Sequence, residues 1–191
     1  NVGLAELSIP IFDIKIGDIT IPIKLSAHLG GNKVGDNASS VGQSWALIAG
    51  GSAGRMVKGK PDENEGVLAN GIYNLDPYVY SISCLTENLL TKLDYISVNT
   101  DDNERDIFSV SSPTKNNTFV MTSPTKPFWL KPDSSKISFT MATNSIQSIK
   151  LTDEMGNNFT YGARETSGGY GSAWHMTEIQ GKKPTEKVVF T

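Results

Sequence analysis

The sequence predicts a mainly β protein: an antiparallel β-sandwich or a set of curved sheets, with long loops and at most one or two short helices. Three observations predict it. Apolar and polar residues alternate over many short stretches, which is the period of a half-buried strand. Turn chemistry recurs between those stretches, with 18 Gly and 9 Pro in 191 residues. No strand pattern is followed by a helical pattern of crossover length, so neighbouring strands are expected to run antiparallel. One β-rich domain is expected over residues 1–191. A subdivision near 64–105 is the alternative, with a hairpin and Gly-rich stretch over 1–63 and a meander over 106–191.

The first element carries the clearest pattern. Ile9 to Ser26 reads IPIFDIKIGDITIPIKLS. Gly17-Asp18 is a two-residue hairpin loop of the Gly-Asp kind. Folding there places Ile16 opposite Ile19, Ile14 opposite Ile21 and Phe12 opposite Ile23. Opposed residues share a face, so these six are expected to lie on one buried side. Lys15 with Thr20, and Asp13 with Pro22, occupy the other. A one-residue slip would expose the whole isoleucine set, which fixes the register. Pro10 and Pro22 cannot donate to a ladder and imply edge positions, or blunting against unwanted strand addition.

Gly30 to Glu63 is rich in Gly and small residues and is expected to be an irregular loop pinned by Trp45, with Gly42 and Gly50-Gly51 allowing turns. Met56-Val57 is a possible short strand. A phosphate-binding loop needs a Gly-Lys-Ser/Thr end or G-x-G-x-x-G before a helix, and neither is present. Residues 61–77 read as polar loop. Thr86 to Ile96 is the best helix candidate, with Thr86 as N-cap and Leu85, Leu89, Leu90 and Leu93 near helical spacing.

The rest reads as a meander. Asp106–Val110 and Thr118–Met121 flank a turn and predict a second hairpin. Ile137, Phe139 and Met141 alternate, as do Ile149 and Leu151 before the turn Asp153–Asn157. Phe159 and Tyr161 alternate after it. Gly168–Gly171 is a flexible loop ahead of Trp174 and Met176, and Gly181–Pro184 is a last turn before the terminal strand Val188–Thr191.

The order of these pieces resembles the N-terminal, pre-repeat region of secreted RHS/YD-repeat proteins of the Bacteroidetes type. The resemblance rests on Ser8-Ile9-Pro10-Ile11, Ile16-Gly17-Asp18 and Pro22–His28. It continues in Val41–Leu47, Ala49-Gly50-Gly51, Arg55-Met56-Val57, Gly59 and Pro61-Asp62-Glu63. Later segments that match are Asp106–Ser109, Asp153–Asn157 with Phe159–Gly162, Ser172–Ile179 and Val188-Val189-Phe190. The family usually has Gly where Ser44 stands, so a less tightly bent backbone is expected there. No Tyr-Asp dipeptide occurs, so the repeats themselves are absent from this chain. The resemblance implies an extracellular or cell-surface location and no catalytic residues. Gly17, Asp18, Gly42, Trp45, Gly50, Gly51, Arg55, Asp153, Gly156 and Trp174 would then be structural. In relatives the repeats wind a β-sheet shell around a C-terminal cargo, which makes downstream repeat strands of the same polypeptide the expected partner.

Composition narrows the alternatives. The net charge is −3 with no basic stripe, against nucleic acid as the main partner. A single Cys, Cys84, excludes an internal disulfide, and two His, His28 and His175, leave little for a metal cluster. No cofactor or metal is expected. No apolar run approaches the ~20 residues of a membrane-spanning helix, and the start at Asn1 implies a removed upstream segment. Cys84 lacks the surroundings of a nucleophile. The acidic run Asp101, Asp102, Glu104 and Asp106 lacks the Gly of a calcium loop and reads as solvated loop. A hydrolase with distant paired carboxylates has no pair selected by the pattern. The functional alternative is a binding module for glycans or host surface proteins. Trp129, flanked by Pro127 and Pro132, and Tyr170 are its candidate contact residues.

Overall fold

The computed structural model describes residues 6–28, 39–63, 66–70, 90–91, 94, 98, 102, 104–142 and 145–191. These residues form a mainly β protein of two antiparallel sheets, as the pattern predicts. The helix expected over Thr86–Ile96 lies largely outside the described residues, as do Cys84 and the tyrosines of 71–80.

The smaller sheet has three strands in the order β1 (Glu6–Ile16), β2 (Ile19–His28), β3 (Trp45–Ala49). The β1–β2 register is the one the isoleucines dictate: Ile16 faces Ile19, Ile14 faces Ile21 and Phe12 faces Ile23. A bulge between Pro10 and Phe12 then shifts the pairing, so that Ile9 faces Leu25 and Leu7 faces Ala27. Pro10 is on an edge strand, as expected. Pro22 is not: β2 is central. It is tolerated because β3 stops pairing at Ile23–Ala49, so no bond is lost where Pro22 lacks its N–H.

The larger sheet has nine strands. Its path is β7 (Lys126–Trp129), β6 (Asn116–Ser123), β5 (Ile107–Ser111), β4 (Ser52–Met56), β11 (Tyr170–Gln180), β10 (Asn158–Ser167), β9 (Ser145–Thr152), β8 (Lys136–Ala142). The short strand β12 (Lys187–Val189) pairs β11 beyond the reach of β4. The sheet curls until it is nearly a closed barrel. Phe119 on β6 reaches Phe139 on β8, with ring centroids 5.9 Å apart, and the Trp129 indole donates to the Ser135 carbonyl at 2.9 Å.

The interior is aromatic. Phe108 stacks on Phe119 at 5.1 Å and lies 6.2 Å from Trp174. The Tyr161 hydroxyl crosses to the Ser111 carbonyl at 2.9 Å, and the Trp174 indole donates to the Ile146 carbonyl at 3.3 Å. Burial pushes the Tyr161 hydroxyl pKa up, which keeps it neutral and donating. Ile16, Ile19, Ile21 and Ile23 belong to the same buried cluster, so one core serves both sheets.

Three expectations are corrected. The Gly-rich stretch is no loop at its second half but two strands, β3 and β4, joined by Gly50-Gly51 where the chain passes from one sheet to the other. Gly50 has φ +88°, and a side chain there would press on Phe190 and Met176. A Cβ at Gly51 would collide with the Ser111 carbonyl oxygen, and the Gly51 carbonyl accepts from Met176 N–H at 3.0 Å. Trp45 begins β3 half-buried and outside the core, so it is not the anchor its apolar neighbours suggested, whereas Trp174 is fully buried. Tyr170 and Gly171 belong to strand β11 rather than to a loop, leaving Gly168-Gly169 as the turn.

Candidate functional site

Three cross-strand rows extend the apolar face of the small sheet. They are Phe12–Ile23–Ala49, Ile9–Leu25–Leu47 and Leu7–Ala27–Trp45. Ladder partners share a face, so these rows continue the surface that begins with Ile16 and Ile19 at the hairpin tip. The tip half is covered by the large sheet: Ile16, Ile19 and Ile21 are buried and Ile14 is half-buried against the core. In the far half Ile23 and Ala27 of the central strand are buried, and the flanks on β1 and β3 are open. Phe12 is 56% exposed, Leu47 49%, Leu7 45% and Ile9 44%. Phe12 was expected to be buried with the isoleucines. Alternation names its face correctly, but the large sheet ends before reaching it. Exposed apolar flanks of this kind are what a further layer covers.

At the hairpin tip the exposed Asp18 carboxylate pairs with Lys182 at 2.9 Å. At the other end of β2, the outer edges of β1 and β3 pair with no other described strand.

A second feature is a buried clasp of charges at the start of β5. Arg55 points inward from β4 with its side chain fully buried. Its guanidinium pairs with Asp106 and Glu63 and lies 5.3 Å from the Phe108 ring centre and 5.4 Å from that of Tyr170. Asp106 accepts from Arg55 Nε at 2.8 Å, Lys58 N–H at 2.8 Å and Asp62 N–H at 3.1 Å. The Asp62 carboxylate in turn accepts from Asp106 N–H at 3.3 Å. Asp102 accepts from Lys60 N–H at 2.7 Å and Glu104 N–H at 2.9 Å. The acidic run is therefore more than solvated loop: Asp102 and Asp106 hold the 58–62 segment through its backbone. The resemblance singles out Arg55 as structural, but nothing local in the sequence marks its partners, 8 and 51 residues away.

The other singled-out residues have structural places. Gly42 closes a tight turn with Ser39, whose hydroxyl accepts Val41 N–H at 3.2 Å. Ser44 has φ +64°, the left-handed conformation glycine favours, so the backbone there is as bent as a glycine would make it. Asp153 Oδ1 accepts Met155 N–H and Asn157 N–H at 2.9 Å each, and Gly156 N–H donates to the Asp153 carbonyl at 3.0 Å. Trp129 ends strand β7, half-buried, edge-on to Phe119 at 5.7 Å. Its prolines suggested a loop. Tyr170 is half-buried with its ring on Arg55. His175 is exposed and 2.8 Å from Glu165.

A shallow groove of about 360 Å³ lies over Ser52, Ser109, Ser111, Asn117, Thr118 and Lys131, lined by hydroxyls and amides. Among the described residues, no cluster of three or more His, Cys, Asp or Glu has the arrangement of a metal site, and no helix is long and apolar enough to cross a membrane. Comparison with family models, curated proteins and solved structures finds no match to this chain.

Proposed function

We propose that this chain is a non-catalytic β module that begins and caps the repeat sheet of an RHS/YD-type protein outside the cell or at its surface. The observation that carries the reading is the half-covered apolar face of β1–β3. Sheets bury apolar faces against other layers, and the end of a repeat stack needs a cap over its apolar layer. In this reading Phe12, Ile9, Leu7 and Leu47 receive strands from beyond Thr191, and the edges of β1 and β3, which pair with no other described strand, give those strands backbone partners. The chain's last residues pass beside this face: Phe190 lies against Gly50, next to the end of β3. A further support is Ser44, whose positive φ falls where the resembling family has glycine.

Size favours a tethered occupant over a free one. Three strands by about five residues is roughly 240 Å², well under the ~800 Å² per partner of a stable interface. A covalently linked segment needs less area, because its effective concentration is set by the tether.

Reading the gene beyond Thr191 tests the proposal. Tyr-Asp repeats downstream support it, and a stop codon or an unrelated enzyme domain overturns it. A second reading, glycan binding at the surface, draws on the hydroxyl- and amide-lined groove over Ser109 and Thr118. A glycan array with Lys131→Ala as control separates the two.

A further inference from the structure

We infer that the segments Lys58–Glu63 and Gly66–Asn70 form a pH-sensitive strap, held shut by a proton on the buried carboxyl of Asp62. Charge counting points there first. Asp62 and Asp106 are fully buried, and Glu63 is almost so. Against these three carboxyls stands one guanidinium, that of Arg55, among the described residues. Arg55 is bound to Asp106 and Glu63. Among the described residues, Asp62 has no bond to it and its carboxyl accepts only the Asp106 N–H, at 3.3 Å to each oxygen. Of the three, Asp62 is the carboxyl that the arrangement leaves without a cation. A second uncompensated charge in such a place is costly, and the group keeps its proton instead.

The charged groups facing Asp62 are Arg55 from β4, Asp106 from the start of β5 and Glu63 from its own segment. The turn α1 (Val67–Asn70) brings no titratable side chain. Burial first, and the neighbouring Asp106 carboxylate second, push the Asp62 carboxyl up to about 7.

The strap hangs on this residue. Leu68 and Ala69 N–H both donate to the Asp62 carbonyl at 2.9 Å. Leu68 packs on the core and, with Ala69 and Glu63, closes a cavity of about 80 Å³ against Pro124 and Met141. When Asp62 ionises, it faces the Asp106 carboxylate at close range and the mutual clasp weakens. The segments 58–63 and 66–70 then lift from β5 and open the core beside Met141. Below neutrality the clasp is closed.

Two measurements test this on the whole chain. Carbon-detected NMR of the Asp62 carboxyl is expected to show a midpoint near neutrality, and a midpoint near the ordinary ~4 overturns the proposal. Amide exchange at Leu68 and Ala69 is expected to lose protection by up to about tenfold per pH unit above that midpoint, after correction for intrinsic exchange. In Asp62→Asn, the neutral isostere, the protection is expected to stay constant with pH. The same loss in Asp62→Asn, or titration of Glu63 in place of Asp62, overturns it. If Asp62→Asn fails to fold, the wild-type carboxyl titration decides alone.

Discussion

Asp62 and Asp106, 44 residues apart, each accept the other's backbone N–H. The exchange ties the end of the Gly-rich segment to the first residue before β5, and Arg55 closes the knot from β4. Removing the guanidinium leaves buried carboxylates unpaired, which typically costs about 3–5 kcal/mol. Arg55→Ala is therefore expected to lower the unfolding free energy by that amount in a urea titration. Arg55→Lys recovers little of it, because an ammonium cannot reach two carboxylates in a planar fork while stacking on Phe108 and Tyr170.

At the other end of the curled sheet, Lys115 reaches Asp133 at 2.9 Å and Glu154 at 2.7 Å. Burial works against the charge of Asp133, but hydrogen bonds from Lys115, Ser135 and Asn117 outweigh it and hold the carboxyl well below the usual carboxylate range. A depressed folded-state pKa stabilises fully above the unfolded value of about 3.8 and is lost as pH falls through the lower folded value. The stability gap between wild type and Asp133→Asn is thus expected to be constant from pH ~5 upward and to shrink in more acid solution. Denaturant melts across that range measure it.

The chain crosses between sheets at Gly51, where a methyl group meets the Ser111 carbonyl. Gly51→Ala is expected to destabilise by about 1–3 kcal/mol, the usual cost of overpacking. Differential scanning calorimetry gives the value.

Ser44 tests backbone strain. A β-branched side chain in the left-handed region costs about 1–2 kcal/mol, so Ser44→Val should lower the melting temperature. Ser44→Gly should leave it unchanged or raise it, since glycine takes φ +64° freely.

The two tryptophans separate core from surface. Trp174→Ala removes a fully buried indole and is expected to cost about 3–5 kcal/mol. Trp45→Ala, on the half-open face, is expected to cost less than half of that.

How far the sequence could be read depends on the range of each interaction. The β1–β2 register was legible because a two-residue turn and strict alternation fix it locally, and Ile16, Ile14 and Phe12 face the partners that alternation assigns. Strands β5, β6 and β8 to β11 were legible for the same reason. Strands β3 and β4 were not, since Ala, Gly and Ser carry little strand signal and their pairing comes from β2, β5 and β11. The exposure of Phe12 was hidden because alternation tells which residues share a face and not how far the opposing layer extends. The clasp was hidden because its members are local neighbours only in the fold.

In the proposed function, the apolar rows of β1–β3 that stand exposed among the described residues are closed by strands downstream of Thr191. Hydroxyl-radical footprinting of Phe12 and Leu47 tests it directly, comparing this chain with the polypeptide extended through its natural downstream sequence. Strong labelling of both side chains is expected here, and a several-fold fall in the longer protein. Equal labelling in the two, or side chains already unreactive in the 191-residue chain, would contradict it.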